Sequence, residues 1–132
     1  MGDLKPGIIV QLPELKPSSQ YYKAQQSLRI LGLLGSYSVQ TAMAVITHGG
    51  AKFRVDTQHL RNLEMRIGSL YQFIGELLPD PEFPSQLMLQ ARVGRNVDGL
   101  DLDLYDKALQ IRRQFEQKYL REASASSSYT RP

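Results

Sequence analysis

The sequence has no cysteine, which removes three functional classes. Disulfide bonds, a catalytic thiolate and a zinc site with cysteine ligands are excluded, and the absence is consistent with a reducing compartment. Histidine is scarce as well: His48 and His59 are the only two, and each lies beside a turn or connector, where a solvent-facing or hydrogen-bonded imidazole is commoner than a metal ligand. The acidic run from Asp101 lacks the spacing of a calcium loop, because Asp106 stands where glycine is required and Arg112 where glutamate is required. We therefore expect no metal and no other cofactor.

Long apolar runs and nucleotide-binding loops are also missing. No stretch approaches the ~20 apolar residues that span a bilayer, and the N-terminus MGDLKPGIIVQLPEL lacks the charge and apolar pattern of a signal peptide. Two glycine-containing segments are LGLLGSYS and GSLYQFIG. They match neither of the two phosphate-binding motifs, G-x-G-x-x-G and G-x-x-x-x-G-K-[ST]. Ser36 follows a glycine but lacks the G-x-S-x-G elbow of a nucleophilic serine. We expect a non-enzymatic protein with no membrane segment.

Positive charge is only slightly in excess over negative charge. The formal net charge is +3 and the pI is near 9.3, which is compatible with nucleic acid but falls short of a strong basic footprint. The length of 132 residues fits a single domain.

Apolar segments separated by turn residues fill the middle of the chain. The first is broken by Gly32 and Gly35, which predicts a long strand with a bend, and GGAK predicts a hairpin turn between the second and the third. Residues 58–67 are predicted to form a connector with a helical turn. The five predicted strands occupy residues 27–39, 41–48, 52–57, 68–77 and 87–93.

Five short antiparallel strands remove their free edges by closing into a small Greek-key barrel. The sequence therefore predicts an all-β protein with a terminal helix, namely a five-stranded OB-fold barrel over residues 27–100. An SH3-like or Sm-like barrel is the alternative, although its helix usually lies elsewhere. Alternation places Tyr71, Phe73, Gly75 and Leu77 on one face of the fourth strand. In the fifth strand it directs Leu87, Leu89, Ala91 and Val93 inward and Met88, Gln90 and Arg92 outward.

The two ends of the chain have different character. Three prolines in residues 1–26 predict an extended N-terminal arm along the body. Residues 101–122 change to a helical period, with Asp101 as the N-cap. The serine-rich residues 123–132 are predicted to form a disordered tail.

The predicted helix has a long apolar stripe with a basic rim. About 20 helical residues span about 30 Å, and a small barrel covers only part of such a helix. The end near Leu104 can pack on the barrel, whereas the far half, at Phe115 and Tyr119, is predicted to meet a partner helix. The alternative is a helix packed entirely on its own barrel.

A row of basic side chains is predicted to face outward from the barrel. OB barrels bind single strands with cations and stacking aromatic rings, but aromatic residues are few here, so binding by the chain alone should be weak. A solvated polar face is the alternative. The candidate nucleic-acid-binding residues are Arg29, Tyr37, Lys52, Arg54, Arg92 and Arg95.

The segments SLYQFIGEL, QARVGRNVDGLDLDLY and KALQIRRQF resemble the Ten1 family, which supplies the smallest subunit of the CST complex. The resemblance extends from about Gly7 to Phe115 and is strongest to plant members. It implies an OB-fold that pairs with the OB domain of Stn1 and, through Stn1, with the large CST subunit. The partner contacts implied by helix phase are Leu104, Ala108, Ile111, Phe115 and Tyr119.

The resemblance also implies a role at chromosome ends in the nucleus. The family supports telomere end protection and lagging-strand fill-in by polymerase α-primase, which it contacts indirectly, and the complex binds single-stranded telomeric DNA mainly through other subunits. Two function classes therefore stay open: an obligate partner subunit, and a stand-alone single-stranded nucleic-acid-binding OB protein.

Overall fold

The computed structural model describes the backbone of residues 7–130 and the side chains of residues 7–119. The chain divides into two compact units, and the boundary between them in the sequence falls between Asp98 and Gly99. Two short 3₁₀ turns, Leu12–Glu14 and Gln58–Leu60, accompany the regular elements. These elements are β1 (Ile8–Ile9), β2 (Ser27–Ser38), β3 (Met43–His48), β4 (Ala51–Asp56), β5 (Leu70–Pro79), β6 (Leu87–Asn96) and α1 (Leu102–Thr130).

Strands β2 to β6 close into a barrel in the order β2-β3-β4-β6-β5, and β5 returns to β2. The predicted OB-fold is confirmed. The long first barrel strand belongs to both halves: its first part pairs with β5, its second part pairs with β3, and Leu33 has partners in both. The register shifts between Leu34 and Ser36, so a bulge lies at Gly35, one of the two positions predicted to bend the strand.

One pairing within the barrel differs from the all-antiparallel expectation. Strands β4 and β6 run parallel, through Val55 opposite Leu89 and Asp56 opposite Gln90. The reason is topological, because Greek-key closure brings the third barrel strand beside the last one after an even number of reversals.

The barrel core is filled by the inward positions of all its strands. Tyr71, Phe73 and Leu77 are fully buried, as the alternation on β5 predicts, and the two aromatic rings stack with centroids 5.9 Å apart. On β6 the prediction is wrong for Met88, which was expected to face outward and is 4% exposed. Met88 lies opposite Leu78 of β5, so an apolar cross-strand pair occupies the outer side of the barrel there.

The N-terminal arm is part of the barrel unit. Strand β1 pairs in parallel with Leu28 and Arg29 of β2. After it, Val10, Leu12 and Leu15 are buried in the core cluster. The arm therefore covers one edge of β2 and contributes apolar surface to the core. Residues 1–6 of the predicted arm lie outside the described residues.

Helix α1 begins where the sequence predicts and ends later. The backbone N–H of Leu104 donates to Oδ1 of Asp101 at 3.1 Å, so Asp101 is the N-cap. The helix continues to Thr130, whereas residues 123–132 were predicted to be disordered. No glycine or proline lies between residues 100 and 131, and alanine is the best helix former, so nothing in the sequence up to Thr130 stops the helix. Residues 131–132 lie outside the described residues.

No helix in the described part of the chain is both long enough and apolar enough to cross a membrane.

Candidate partner-binding and nucleic-acid-binding surfaces

One face of α1 carries an exposed apolar stripe. Ile111, Phe115 and Tyr119 are 66%, 70% and 64% exposed. Leu104 lies at the end of the helix that was expected to pack on the barrel, yet it is 65% exposed. Ala108 is exposed as well. All five residues predicted from helix phase to bind a partner therefore lie on the solvent side of the helix.

The buried side of α1 points away from this stripe. A helix turns about 100° per residue, so the five stripe residues fall within an arc of roughly 80°. Leu109 is 7% exposed, and Leu102 and Arg113 are half-buried. These three lie roughly 120–160° from the centre of the stripe by the same geometry. The exposed stripe and the buried Leu109 therefore lie on different sides of the helix.

Charged residues flank the exposed stripe. Arg112 and Glu116 form an ion pair of 2.9 Å with the i, i+4 spacing, and both side chains are exposed. Such a surface pair contributes about 0.3–0.5 kcal/mol. An apolar stripe with a charged margin has the arrangement of a protein interface, in which the centre carries most of the energy.

The motif VGRNVDG covers the end of β6 and the turn that follows it. The backbone N–H of Leu70 donates to Oδ1 of Asp98 at 2.7 Å, and Asn96 Nδ2 donates to Oδ2 of the same carboxylate at 3.0 Å. These hydrogen bonds lower the pKa of Asp98, with the bond from Leu70 as the largest cause. Gly99 follows with φ of 93°, a conformation that favours glycine. Asn96, Asp98 and Gly99 of the motif therefore have a structural role, because they form a turn that holds the end of β6 beside the start of β5.

Four of the six predicted nucleic-acid-binding residues fall into two groups in the strand ladder. Lys52 and Arg54 lie on β4 opposite residues of β3, whereas Arg29 and Arg95 lie opposite residues of β5. Arg92 lies at the β5–β6 register shift. Tyr37 is half-buried near the end of β2 and packs against the core. The continuous row expected from the sequence is therefore divided between different strand pairs.

Arg54 is engaged by the loop between β5 and β6. Its Nε donates to Oδ2 of Asp80 at 2.5 Å, its Nη2 lies 3.5 Å from Oε1 of Glu82, and its guanidinium lies 5.1 Å from the centre of the Phe83 ring. The carboxylate of Asp80 also accepts the backbone N–H of Glu82 at 2.9 Å. Burial alone raises the pKa of Asp80, but these hydrogen bonds and the charge of Arg54 outweigh it and lower the pKa.

Other predicted cations also have protein partners. Arg92 Nη2 lies 3.2 Å from Oε1 of Glu76, and Arg95 Nε donates to Oε1 of Gln72 at 3.1 Å. Lys52 is exposed. Two of the five predicted cations, Arg54 and Arg92, are therefore paired with carboxylates of the barrel.

Sequence reasoning missed two features that shape these surfaces. The loop between β5 and β6 carries Asp80 and Glu82, the carboxylates that hold Arg54, and the sequence did not link either of them to Arg54. Tyr22 of the arm was also missed, and its hydroxyl accepts the backbone N–H of Leu87 at 2.8 Å. The two acidic residues of the loop, Asp80 and Glu82, were the sequence signal that could have indicated a partner for a nearby cation.

Together, the closed five-stranded barrel and the exposed helix define a small OB-fold protein with an uncovered apolar face on its terminal helix. A family model described as telomere-capping, CST complex subunit matches residues 3–119. The CST complex subunit TEN1 of Arabidopsis thaliana is 48% identical over 115 residues, which cover 86% of this chain and 89% of that protein. The chain belongs to the Ten1 family of telomere-capping CST complex subunits, so the resemblance of its motifs is confirmed.

Solved structures agree on the fold. A chain of the Stn1–Ten1 complex from S. pombe matches with a TM-score of 0.67 at 15% identity, covering 85% of this chain and 98% of that one. Telomere capping protein Ten1 from Saccharomyces pombe, as that structure is described, matches with a TM-score of 0.65 at 16% identity over 82% and 98% of the two chains. The ygiW protein of E. coli matches with a TM-score of 0.54 at 13% identity over 70% and 94%.

Proposed function

We propose that the chain is a non-enzymatic CST subunit that pairs with the OB domain of Stn1 through the exposed stripe of α1. The observation that carries the proposal is the stripe itself, five residues on the solvent side of the helix that include Phe115 at 70% exposure. An exposed apolar side chain gains about 1.5–3 kcal/mol when it is fully buried. Aromatic residues at the centre of a buried patch are the usual anchors of an interface.

The choice of Stn1 rests on family membership. A relative that is 48% identical is a CST complex subunit, and a structure with the same fold comes from a Stn1–Ten1 complex. Through Stn1 the chain is proposed to join the large CST subunit and, indirectly, polymerase α-primase. Its place is then the nucleus, at chromosome ends, where it supports telomere end protection and lagging-strand fill-in on single-stranded DNA.

Direct contact with single-stranded DNA is proposed to be secondary. The candidate contacts are the six residues predicted from the sequence, but Arg54 and Arg92 form ion pairs within the barrel. Each base stacked on an aromatic ring contributes about 1–3 kcal/mol, and Tyr37 is half-buried against the core. These observations favour the partner subunit over the stand-alone nucleic-acid-binding protein.

Co-expression with the OB domain of Stn1 tests the proposal. We expect a stable heterodimer by size-exclusion chromatography and a measurable affinity by calorimetric titration of the separately purified partners. The isolated chain should bind a single-stranded telomeric oligonucleotide weakly, with an affinity that falls steeply with salt because cations supply most of it. Failure to form the heterodimer, together with nanomolar binding of the oligonucleotide at physiological salt, would favour the stand-alone function instead.

A further inference from the structure

A hollow on the barrel unit, remote in sequence from α1, has a volume of about 450 Å³. This volume is within the range of about 300–1,000 Å³ that is typical of binding pockets. Three segments line it: the N-terminal arm, the β3–β4 hairpin and the start of β6. The apolar lining consists of Leu15, Pro17, Tyr22, Val45, Phe53 and Leu87.

Every charged residue of this lining is a cation. Lys16 and Lys52 are exposed, and neither forms an ion pair with another residue whose side chain is described. Arg54 is the third cation, but Asp80 and Glu82 already neutralise it from outside the lining. An occupant therefore meets an apolar floor and two lysines, which favours a ligand with an apolar body and negative charge.

The walls of the hollow favour a peptide over a nucleic-acid strand. The arm packs against the β3–β4 hairpin, and its residues Leu15, Lys16, Pro17 and Tyr22 form one wall of the hollow. The floor is largely aliphatic, and of its two rings Phe53 is only 7% exposed and Tyr22 is half-buried, so little ring surface is available for stacking bases. Aliphatic floors of this kind take a single bulky side chain as an anchor.

We propose that this hollow docks a short acidic peptide segment of a protein partner. One bulky apolar side chain of the segment inserts between the arm and the β3–β4 hairpin, and the flanking carboxylates meet Lys16 and Lys52. The lining belongs entirely to the barrel unit and does not include the stripe of α1. The proposal therefore concerns a second interaction surface and does not depend on the proposed pairing with Stn1.

Fluorescence anisotropy on the full chain tests the proposal with three labelled peptides. The probe has one phenylalanine flanked on both sides by aspartates and glutamates. One control peptide has alanine in place of the phenylalanine, and the other has lysines in place of the acids. We expect the probe to bind, the alanine peptide to bind about tenfold more weakly, and the lysine peptide not to bind. Methyl NMR shifts caused by the probe should concentrate on Leu15, Val45 and Leu87.

Charge reversal provides the matched protein variants. The double variant Lys16→Glu and Lys52→Glu should weaken probe binding by about tenfold or more, with an unchanged melting curve because both side chains are exposed. Lys23→Glu is the control, since Lys23 is an exposed lysine of the arm outside the lining.

Several outcomes would overturn the proposal. These are no binding of the acidic probe, equal binding by the double variant and the control, or methyl shifts confined to α1. An oligothymidylate that binds through the same two lysines while the acidic peptide does not would show instead that the hollow receives nucleic acid.

Discussion

Replacement of Gly75 gives the sharpest test of how the barrel closes. Gly75 lies at the register shift between β5 and β6, where its backbone approaches that of the neighbouring strand. A Cβ atom added to Gly75 would lie 2.7 Å from the carbonyl carbon of Gln90 and 2.8 Å from the Cα of Ala91, and closer still to the Gln90 carbonyl oxygen. These atoms belong to the backbone of β6, so no side-chain rotation relieves the clash.

The expected loss of stability follows from this geometry. Overpacking of a filled core typically destabilises by about 1–3 kcal/mol. Separating the two strands at this point also weakens neighbouring ladder hydrogen bonds, each worth about 1 kcal/mol. We expect Gly75→Ala to reduce the free energy of unfolding by about 3 kcal/mol or more, and Gly75→Val by more, against a total of about 5–15 kcal/mol for a domain.

A second glycine serves as the matched control. Gly35 also lies at a bulge, but a Cβ there would lie 3.4 Å from Thr47 Cγ2 and from the Val45 carbonyl oxygen, an ordinary contact. Gly35→Ala should therefore change stability by less than about 1 kcal/mol, because the methyl group fits and the unfolded chain loses some freedom. Urea denaturation followed by circular dichroism measures both. If Gly75→Ala and the parent unfold at the same urea concentration, or if both alanine variants lose the same stability, the close approach of β5 and β6 is wrong.

Three further predictions concern the stripe, the β4–β5 connector and the β5–β6 loop. Phe115→Ala should leave the melting curve unchanged but weaken Stn1 binding by about 2 kcal/mol or more in a calorimetric titration, whereas Arg112→Ala should cost less than about 1 kcal/mol. Unchanged affinity, or a melting loss as large as the binding loss, would remove Phe115 from the interface. Tyr71→Phe should destabilise the fold to urea by about 1–3 kcal/mol, because the Tyr71 hydroxyl donates to the Glu64 carbonyl at 2.7 Å and accepts the Arg66 N–H at 2.8 Å. An unaltered urea midpoint would contradict that role. The pKa of Asp80 is lowered in the folded chain, so its stabilising contribution is complete above the unfolded pKa of about 4 and is lost as the pH falls through the folded value. Asp80→Asn should flatten the acid side of the stability–pH curve, and an unchanged slope there would refute the assignment.

The features that sequence predicts well here have a strong local signal. The burial of Tyr71, Phe73 and Leu77 follows from a period of two, which only one face of a strand satisfies. The start of α1 follows from a single capping carboxylate at Asp101. The exposure of Phe115 and Tyr119 was predicted by counting residues, because the helical phase is fixed once the helix begins, whereas Leu104 was expected to pack on the barrel and is exposed.

The features that sequence misses depend on tertiary contacts. Arg54 and Asp80 are 26 residues apart, and nothing local to either residue identifies the other. The arm gave no periodic signal, since prolines interrupt the spacing of Val10, Leu12 and Leu15, although all three are buried. At the end of α1 the serine-rich composition is typical of disorder, yet the helix continues to Thr130 and no glycine or proline lies within it.

Strand β2 also determines how the barrel comes apart. Leu33 lies opposite Thr47 of β3 and opposite Leu70 of β5, so the same strand closes both halves of the sheet. Neither half can open alone without breaking pairs on β2, which makes the barrel one cooperative unit. The amide hydrogens in the middle of β2 should exchange with solvent only through complete unfolding. Their exchange rates would then report the global free energy of the barrel under native conditions, without denaturant.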